Sequence, residues 1–195
     1  NLKPKGPEVV LSRTSEEILK KVFYLEIPEI ANGLIEIKGV AREAGSRSKI
    51  AIISNSDNID PIGSCVGQRG GRIQTIINEL GGEKVDIIEF DENPVNYISK
   101  SLSPAKVLEV EIDEEKGKAV VSVAPDQFSL AIGKGGQNAR LAARLTDWKI
   151  DIVEAKEEGG SKEFDSETEA IKEEGSGSEE PAAKTETGGE EAGQD

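Results

Sequence analysis

The feature that most restricts what this chain can fold into is an internal duplication. Gly67-Gln68-Arg69-Gly70 and Gly133-Lys134-Gly135-Gly136 are both G-x-x-G, and positions 67 and 133 lie 66 residues apart. Each has an apolar residue just before it, basic residues in and just after it, and a helix-forming stretch following. The surroundings repeat too. Lys84-Val85-Asp86-Ile87-Ile88 follows the first and Lys149-Ile150-Asp151-Ile152-Val153 the second at an offset of 65, so one indel aligns the copies. Two similar units of some 65 residues read as two small domains, each near the lower size at which a chain folds alone.

Periodicity gives the same order of elements in both. Thr14-x-x-Glu17 forms a capping box ahead of Ile18, Leu19, Val22 and Phe23 at helical spacing, which predicts a helix start. Residues 34–40 and 49–53 read as strands joined through Gly45-Ser46-Arg47. Pro61 opens a short helix to about Val66 and the G-x-x-G interrupts it. Ile73, Ile76, Ile77 and Leu80 then mark an amphipathic helix stopped by Gly81-Gly82, and residues 84–90 close the unit as a strand. The second unit predicts a helix at about 95–102, strands at 106–112 and 118–123 around Glu115-Lys116-Gly117, helices at about 127–132 and 136–145, and a strand at 149–153. The class is α+β, in two tandem α-β-β-α-α-β units, an order that matches the type II KH fold. The expected domains are 13–91 and 92–154, with a leading segment 1–12 and a tail 155–195.

A net charge of −14 looks wrong for a nucleic-acid binder until it is divided. Residues 154–195 carry 15 acidic and 4 basic side chains, a net of −11, which leaves 23 acidic and 20 basic, a net of −3, for residues 1–153. The tail is rich in Glu, Gly, Ser and Thr and is expected to be disordered. It reads either as a solubilising end or as an acidic mimic competing with RNA for the basic loops. No run of about 18 apolar residues is present, so no membrane helix is expected, and the composition of 35% hydrophobic and 32% charged residues fits a soluble chain. Cys65, the only cysteine, reads as a small buried residue in a reducing, cytoplasmic setting.

Catalytic alternatives find no residues to carry them. Without histidine and with one cysteine there is no imidazole base, no thiolate–imidazole dyad and no zinc set. Neither loop matches G-x-x-x-x-G-K-[ST], and a G-x-G-x-x-G begun at Gly133 fails at Asn138. The acid pairs Asp91-Glu92 and Glu114-Glu115 fall in connections and read as solvated charge. A non-enzyme without cofactor or metal is expected.

The loops themselves suit an RNA backbone. Glycine at both ends of the turn removes side chains that would hold a phosphodiester away, and the amides opening the next helix present positive charge to phosphate. Arg69, Arg72, Lys134 and Arg140 add mobile cations, contributing salt-dependent affinity with little sequence preference. This is the signature of the KH loop, which clamps single-stranded RNA. Bases would turn toward an apolar groove offered by Ile62, Val66 and Ile73, and by Leu130, Ile132 and Leu141. Ile73, Ile76, Ile77, Leu141 and Leu145 read more naturally as core.

Longer runs carry a closer resemblance. LSRT (11–14), VAREAGSRSKIAI (40–52), DPIGSCVGQRGGRIQTIINELGGEKVDII (60–88), SPAKV (103–107) and LAIGKGGQNARLAARLTDWKIDI (130–152) resemble the NusA family of bacterial transcription elongation, termination and antitermination factors. The resemblance covers about residues 6–153. It implies two tightly packed KH domains, with residues 1–12 similar to the last strand of a preceding OB-fold, in a C-terminal piece lacking the polymerase-binding end. It implies RNA contacts at Gly67, Gln68, Arg69, Gly70 and Arg72, and at Gly133, Lys134, Gly135, Gly136, Gln137, Asn138 and Arg140. The implied partners are single-stranded nascent RNA, RNA polymerase through upstream regions, and other antitermination factors, with the chain itself a monomer. A KH module in ribosome assembly or RNA processing is the alternative. The short connection from Phe90 to Pro94 favours a rigid pair over independent beads.

Overall fold

In a computed structural model of the chain, residues 11–56 and 58–155 are described. The expectations for the leading strand up to residue 10 and for the acidic tail from 156 lie outside them.

The first unit begins with α1, Glu16–Glu26, which buries Leu19 and Phe23. Its N-cap is Ser15, whose hydroxyl accepts from the Glu17 amide at 3.2 Å. The expected capping box at Thr14 therefore gives way to a simple serine cap one residue on, and the Thr14 hydroxyl instead shares a 2.7 Å hydrogen bond with Ser12. A one-turn helix that periodicity missed, α2 (Pro28–Ala31), follows directly, Pro28 occupying the first turn, where its missing N–H is not needed. Next come β1 (Ile35–Glu43), β2 (Arg47–Ser54), α3 (Pro61–Val66), α4 (Gly71–Glu79) and β3 (Lys84–Glu89). β1 and β2 pair antiparallel and β2 and β3 parallel. Leu19, Phe23, Ile27, Ile35, Ile50, Ile52, Cys65 and Ile76 form the core between helices and sheet.

The hairpin runs further toward its turn than apolar alternation suggests, pairing Arg42 with Ser48 and Glu43 with Arg47. Charge pairs hold this polar end. Glu83, fully buried, accepts from Arg42 Nε at 2.8 Å and Nη2 at 2.9 Å, from Ser48 Oγ at 2.6 Å and from the Gly45 amide at 2.8 Å. Burial pushes its carboxyl up, but these donors outweigh that and hold it below the usual range.

The second unit repeats the plan with α5 (Pro94–Ser101), β4 (Val107–Asp113), β5 (Lys118–Val123), α6 (Pro125–Ile132), α7 (Gln137–Thr146) and β6 (Lys149–Glu154). Asn93 caps α5, accepting from the Val95 amide at 2.9 Å. Even the irregularities recur, with a register shift between Ile37 and Gly39 in β1 and between Val107 and Glu109 in β4. Ile98, Leu102, Val121, Val123, Ala131 and Ala142 are central to its core.

A third cluster joins the units. Ala41, Ala51 and Ile88, on the back of the first sheet, meet Tyr97, Leu141 and Leu145 from α5 and α7, with Phe90 against them. Gly39 lies beneath Leu145, where a Cβ would meet Cδ1 at an ordinary contact distance of 3.5 Å. Polar groups are matched as well. Tyr97 donates to the Leu145 carbonyl at 3.2 Å, and the wholly buried Lys49 donates to the Ser103 carbonyl at 2.8 Å and to Asp86 at 3.2 Å. Burial depresses the Lys49 pKa, against the pull of Asp86. Apolar burial with satisfied polar groups gives a docked pair.

Candidate nucleic-acid interface

Each loop is the end of one helix and the start of the next. Where α3 ends, the Gly67 amide still donates to the Gly63 carbonyl at 2.9 Å, and where α6 ends Gly133 donates to Ser129 at 2.9 Å. The backbones then coincide: φ/ψ of 74°/175° at Gly67 against 75°/172° at Gly133, and 76°/15° at Gly70 against 73°/13° at Gly136. The first pair occupies a region open essentially to glycine alone. A side chain there has no space either, because a Cβ on Gly67 would sit 2.8 Å from Arg72 Cγ, and one on Gly133 2.8 Å from the Asn138 amide nitrogen. Between the glycines, Arg69 (φ 53°) stands in the left-handed region where the second loop has Gly135 (φ 59°).

This turn puts the amides of Gln68, Arg69, Lys134 and Gly135 at the head of the run into α4 and α7, where the leading amides of a helix have no partner within the helix itself. Arg69 and Lys134 are exposed and make no side-chain hydrogen bond or ion pair among the described residues. Peptide donors and free cations thus meet at both turns, the arrangement an anionic backbone requires.

The other expected contacts divide. Arg72 is tied down, with Nη1 donating to both Glu29 carboxylate oxygens at 3.0 and 3.1 Å and to the Ser64 carbonyl at 2.7 Å. Gln137 and Arg140 reach across to the first unit. Gln137 Nε2 donates to Glu43 Oε2 at 2.7 Å, and Arg140 Nε to Glu43 Oε1 at 2.6 Å. The Arg140 and Gln137 hydrogen bonds hold the Glu43 carboxyl below its usual range, and Glu43 in turn raises Arg140.

Asn138 corrects the sequence reading. It is only 2% exposed, and Nδ2 donates to the Leu102 carbonyl at 2.9 Å and the Ala131 carbonyl at 3.1 Å. Position 138 is the counterpart of 72 at the 66-residue offset, underneath the first glycine, where the carbonyls ending α6 need donors. Asn138 is thus held inside the second unit, whereas the sequence reading places it among the exposed contacts. Leu141, offered to a groove or to a core, belongs to the core between the units. Ile62 and Leu130 remain exposed, and Val66, Ile73 and Ile132 are half-buried.

A cleft of about 650 Å³ opens beside the first loop, lined by Asp60, Gly63, Ser64, Gly67, Gln68, Gly71 and Arg72. Sequence reasoning missed Asp60, Gly63, Ser64 and Gly71. The missing signal was size, since the offset places Ser129, Leu130 and Gln137 where the first unit has Gly63, Ser64 and Gly71. Cys65 behind this cleft is fully buried, and burial pushes its thiol up to about 12, which makes it unreactive. No group of three or more His, Cys, Asp or Glu side chains suited to a metal occurs among the described residues.

Two α-β-β-α-α-β units with a G-x-x-G between the last two helices define a tandem KH protein. The profile of the NusA-like first KH domain matches residues 13–90 and that of the NusA-like second KH domain matches 94–159. The transcription termination/antitermination protein NusA of Bacillus subtilis is 55% identical over 149 residues, 76% of this chain and 40% of its own length. That of Thermus thermophilus is 52% identical over 151 residues, 77% of this chain and 39% of its own. The crystal structure of APE1850 shares the fold, with a TM-score of 0.52 at 21% identity over 72% of this chain and 97% of that one. The chain belongs to the NusA family, and it spans about two-fifths of the length of the curated relatives it matches. No helix among the described residues is long and apolar enough to cross a membrane.

Proposed function

We propose that this chain is the single-stranded RNA-binding region of a cytoplasmic transcription elongation factor, which modulates pausing, termination and antitermination by holding nascent RNA on two G-x-x-G loops. The observation that carries the reading is the identity of the two loop backbones. Each presents glycine at the approach, the leading amides of a helical turn and one cation without a side-chain partner among the described residues, Arg69 or Lys134. Gly67, Gln68, Arg69 and Gly70 take one stretch of backbone, with Arg72 lining the cleft into which a base turns. Gly133, Lys134, Gly135 and Gly136 take the other, flanked by Gln137 and Arg140. RNA polymerase and other antitermination factors are the partners of the complete factor, and the chain acts by binding, as a monomer.

The test is fluorescence anisotropy of the full chain with labelled single-stranded RNA at moderate salt. Gln68→Asp with Arg69→Asp, and separately Lys134→Asp with Gly135→Asp, are each expected to weaken binding about tenfold or more, because two carboxylates replace amide-side positive potential at an exposed turn. Unchanged affinity in both double variants, with melting curves intact, overturns the reading.

A further inference from the structure

Glu43 is a carboxylate set against the residues that follow the second loop, and it comes from the other unit. It sits at the end of β1, one residue before the hairpin turn, and its two oxygens are shared between Arg140 Nε at 2.6 Å and Gln137 Nε2 at 2.7 Å on the first turns of α7. Gln137 also donates to Ser46 Oγ at 2.8 Å, so the hairpin grips it twice. From the same guanidinium, Arg140 Nη1 donates to the Gly135 carbonyl at 3.0 Å, inside the second loop. The remaining edge of Arg140, whose side chain is 46% exposed, has no other partner among the described residues. A chain of bonds therefore runs from the first unit's hairpin, through one arginine, into the loop of the second.

We infer that Glu43 is a positioning residue for RNA binding at the second loop, holding Arg140 so that its free edge lies beside Lys134 and the open amides of Lys134 and Gly135. The inference rests on the RNA-binding reading of the loops. An exposed arginine left alone samples many rotamers and must be ordered when it meets a phosphate. One held at Nε and Nη1 meets it already ordered. The opposing effect is charge, since the carboxylate neutralises a cation that would attract phosphate. Because Glu43 is engaged by two donors and its charge is balanced within the pair, its repulsion of a phosphate is short-ranged and screened at moderate salt, where ordering prevails. Among the described residues the first loop has no such visitor. The counterpart of Arg140 there is Gln74, bonded to Asn78, and Arg72 pairs with Glu29 of its own unit. The second site is complete only when the units are docked.

The experiment is a double-mutant cycle on the full chain, with single-stranded RNA long enough to span both loops at moderate salt. Glu43→Ala in the otherwise unaltered chain should weaken binding about two- to tenfold, the range for ordering one rotamer-rich side chain. In an Arg140→Ala background, the same substitution should change affinity by less than twofold, because its route of action is gone. Glu43→Gln, which can still accept from Nε, should recover part of the loss, an effect that mere support of the fold would not produce. Equal losses in both backgrounds, no loss in either, or tighter binding on Glu43→Ala at moderate salt overturns the proposal. Lys134→Asp with Gly135→Asp, measured alongside, separates the two failures: if it too leaves affinity unchanged, the loop reading itself has failed. Melting temperature and RNA binding through the first loop report whether a variant has unfolded.

Discussion

The first and second units share a backbone and differ in what that backbone is made to do. At the loops, glycine is kept where φ and contact demand it, while positions between them diverge: Arg69 against Gly135, Arg72 against Asn138. On the sheets the divergence is larger. Matching register rows place Ala41, Lys49 and Asp86 in one sheet opposite Glu111, Val120 and Asp151 in the other, and Gly39, Ala51 and Ile88 opposite Glu109, Ser122 and Val153. Ala41, Ala51 and Ile88 are buried under α5 and α7, whereas Glu109, Glu111 and Asp151 on the other sheet are exposed. Duplication supplied one fold twice, and side-chain size and charge on a single face decided which copy is covered by its neighbour.

The sharpest way to break that comparison is to exchange the faces. Ala41→Glu gives the first sheet the residue of the second, and at a position 1% exposed it buries a second carboxylate beside Lys49, whose ammonium is already bonded to Asp86 and the Ser103 carbonyl. A loss of about 3–5 kcal/mol in chemical unfolding is expected, as for a charge left unpaired in an interior. The reverse change, Glu111→Ala, should stay within about 0.5 kcal/mol, as at most surface sites. Comparable effects of the two would mean that the faces are not distinguished by burial.

Next come the glycines that open the loops. Gly133→Ala and Gly67→Ala each force a residue into a glycine-only conformation, at about 1–3 kcal/mol. Gly133→Ala should be the worse, because its Cβ meets the Asn138 backbone nitrogen at 2.8 Å, while that of Gly67 meets side-chain atoms only, Arg72 Cγ at 2.8 Å. Thermal melts of the two variants side by side give the order. The smallest effect sharpens the comparison instead. Arg69→Gly converts the centre of the first loop to that of the second, relieving a left-handed arginine while adding freedom to the unfolded chain, so stability should move by less than about 1 kcal/mol. RNA affinity should fall, and the salt slope should lessen by about 0.7, one cation–phosphate contact on a single strand.

Local pattern made much of this legible in the sequence. The order of elements other than α2, the breaks at Gly67 and Gly133 and the stop at Gly81-Gly82 depend on residues a few positions apart, and the structure places them as expected. Capping at Ser15 was off by one because Thr14 offers the same hydroxyl chemistry. What stayed hidden depends on partners far along the chain. Nothing near Arg140 announces Glu43, 97 residues earlier, and nothing near Asn138 announces the Leu102 carbonyl, 36 residues earlier. A basic or amide side chain after a G-x-x-G looks free in one dimension, and only the folded chain shows which ones are engaged.

The central claim is that the two loops serve one RNA strand. It is tested most directly by comparing the affinity of the full chain for single-stranded RNA of about four nucleotides, one loop's worth, with that for strands long enough to reach both. A rigid pair holding both segments predicts at least about a hundredfold gain for the long strand, since the second contact becomes intramolecular. It also predicts loss of that gain in either loop variant. A gain of no more than about twofold, the increase in available registers alone, would contradict it.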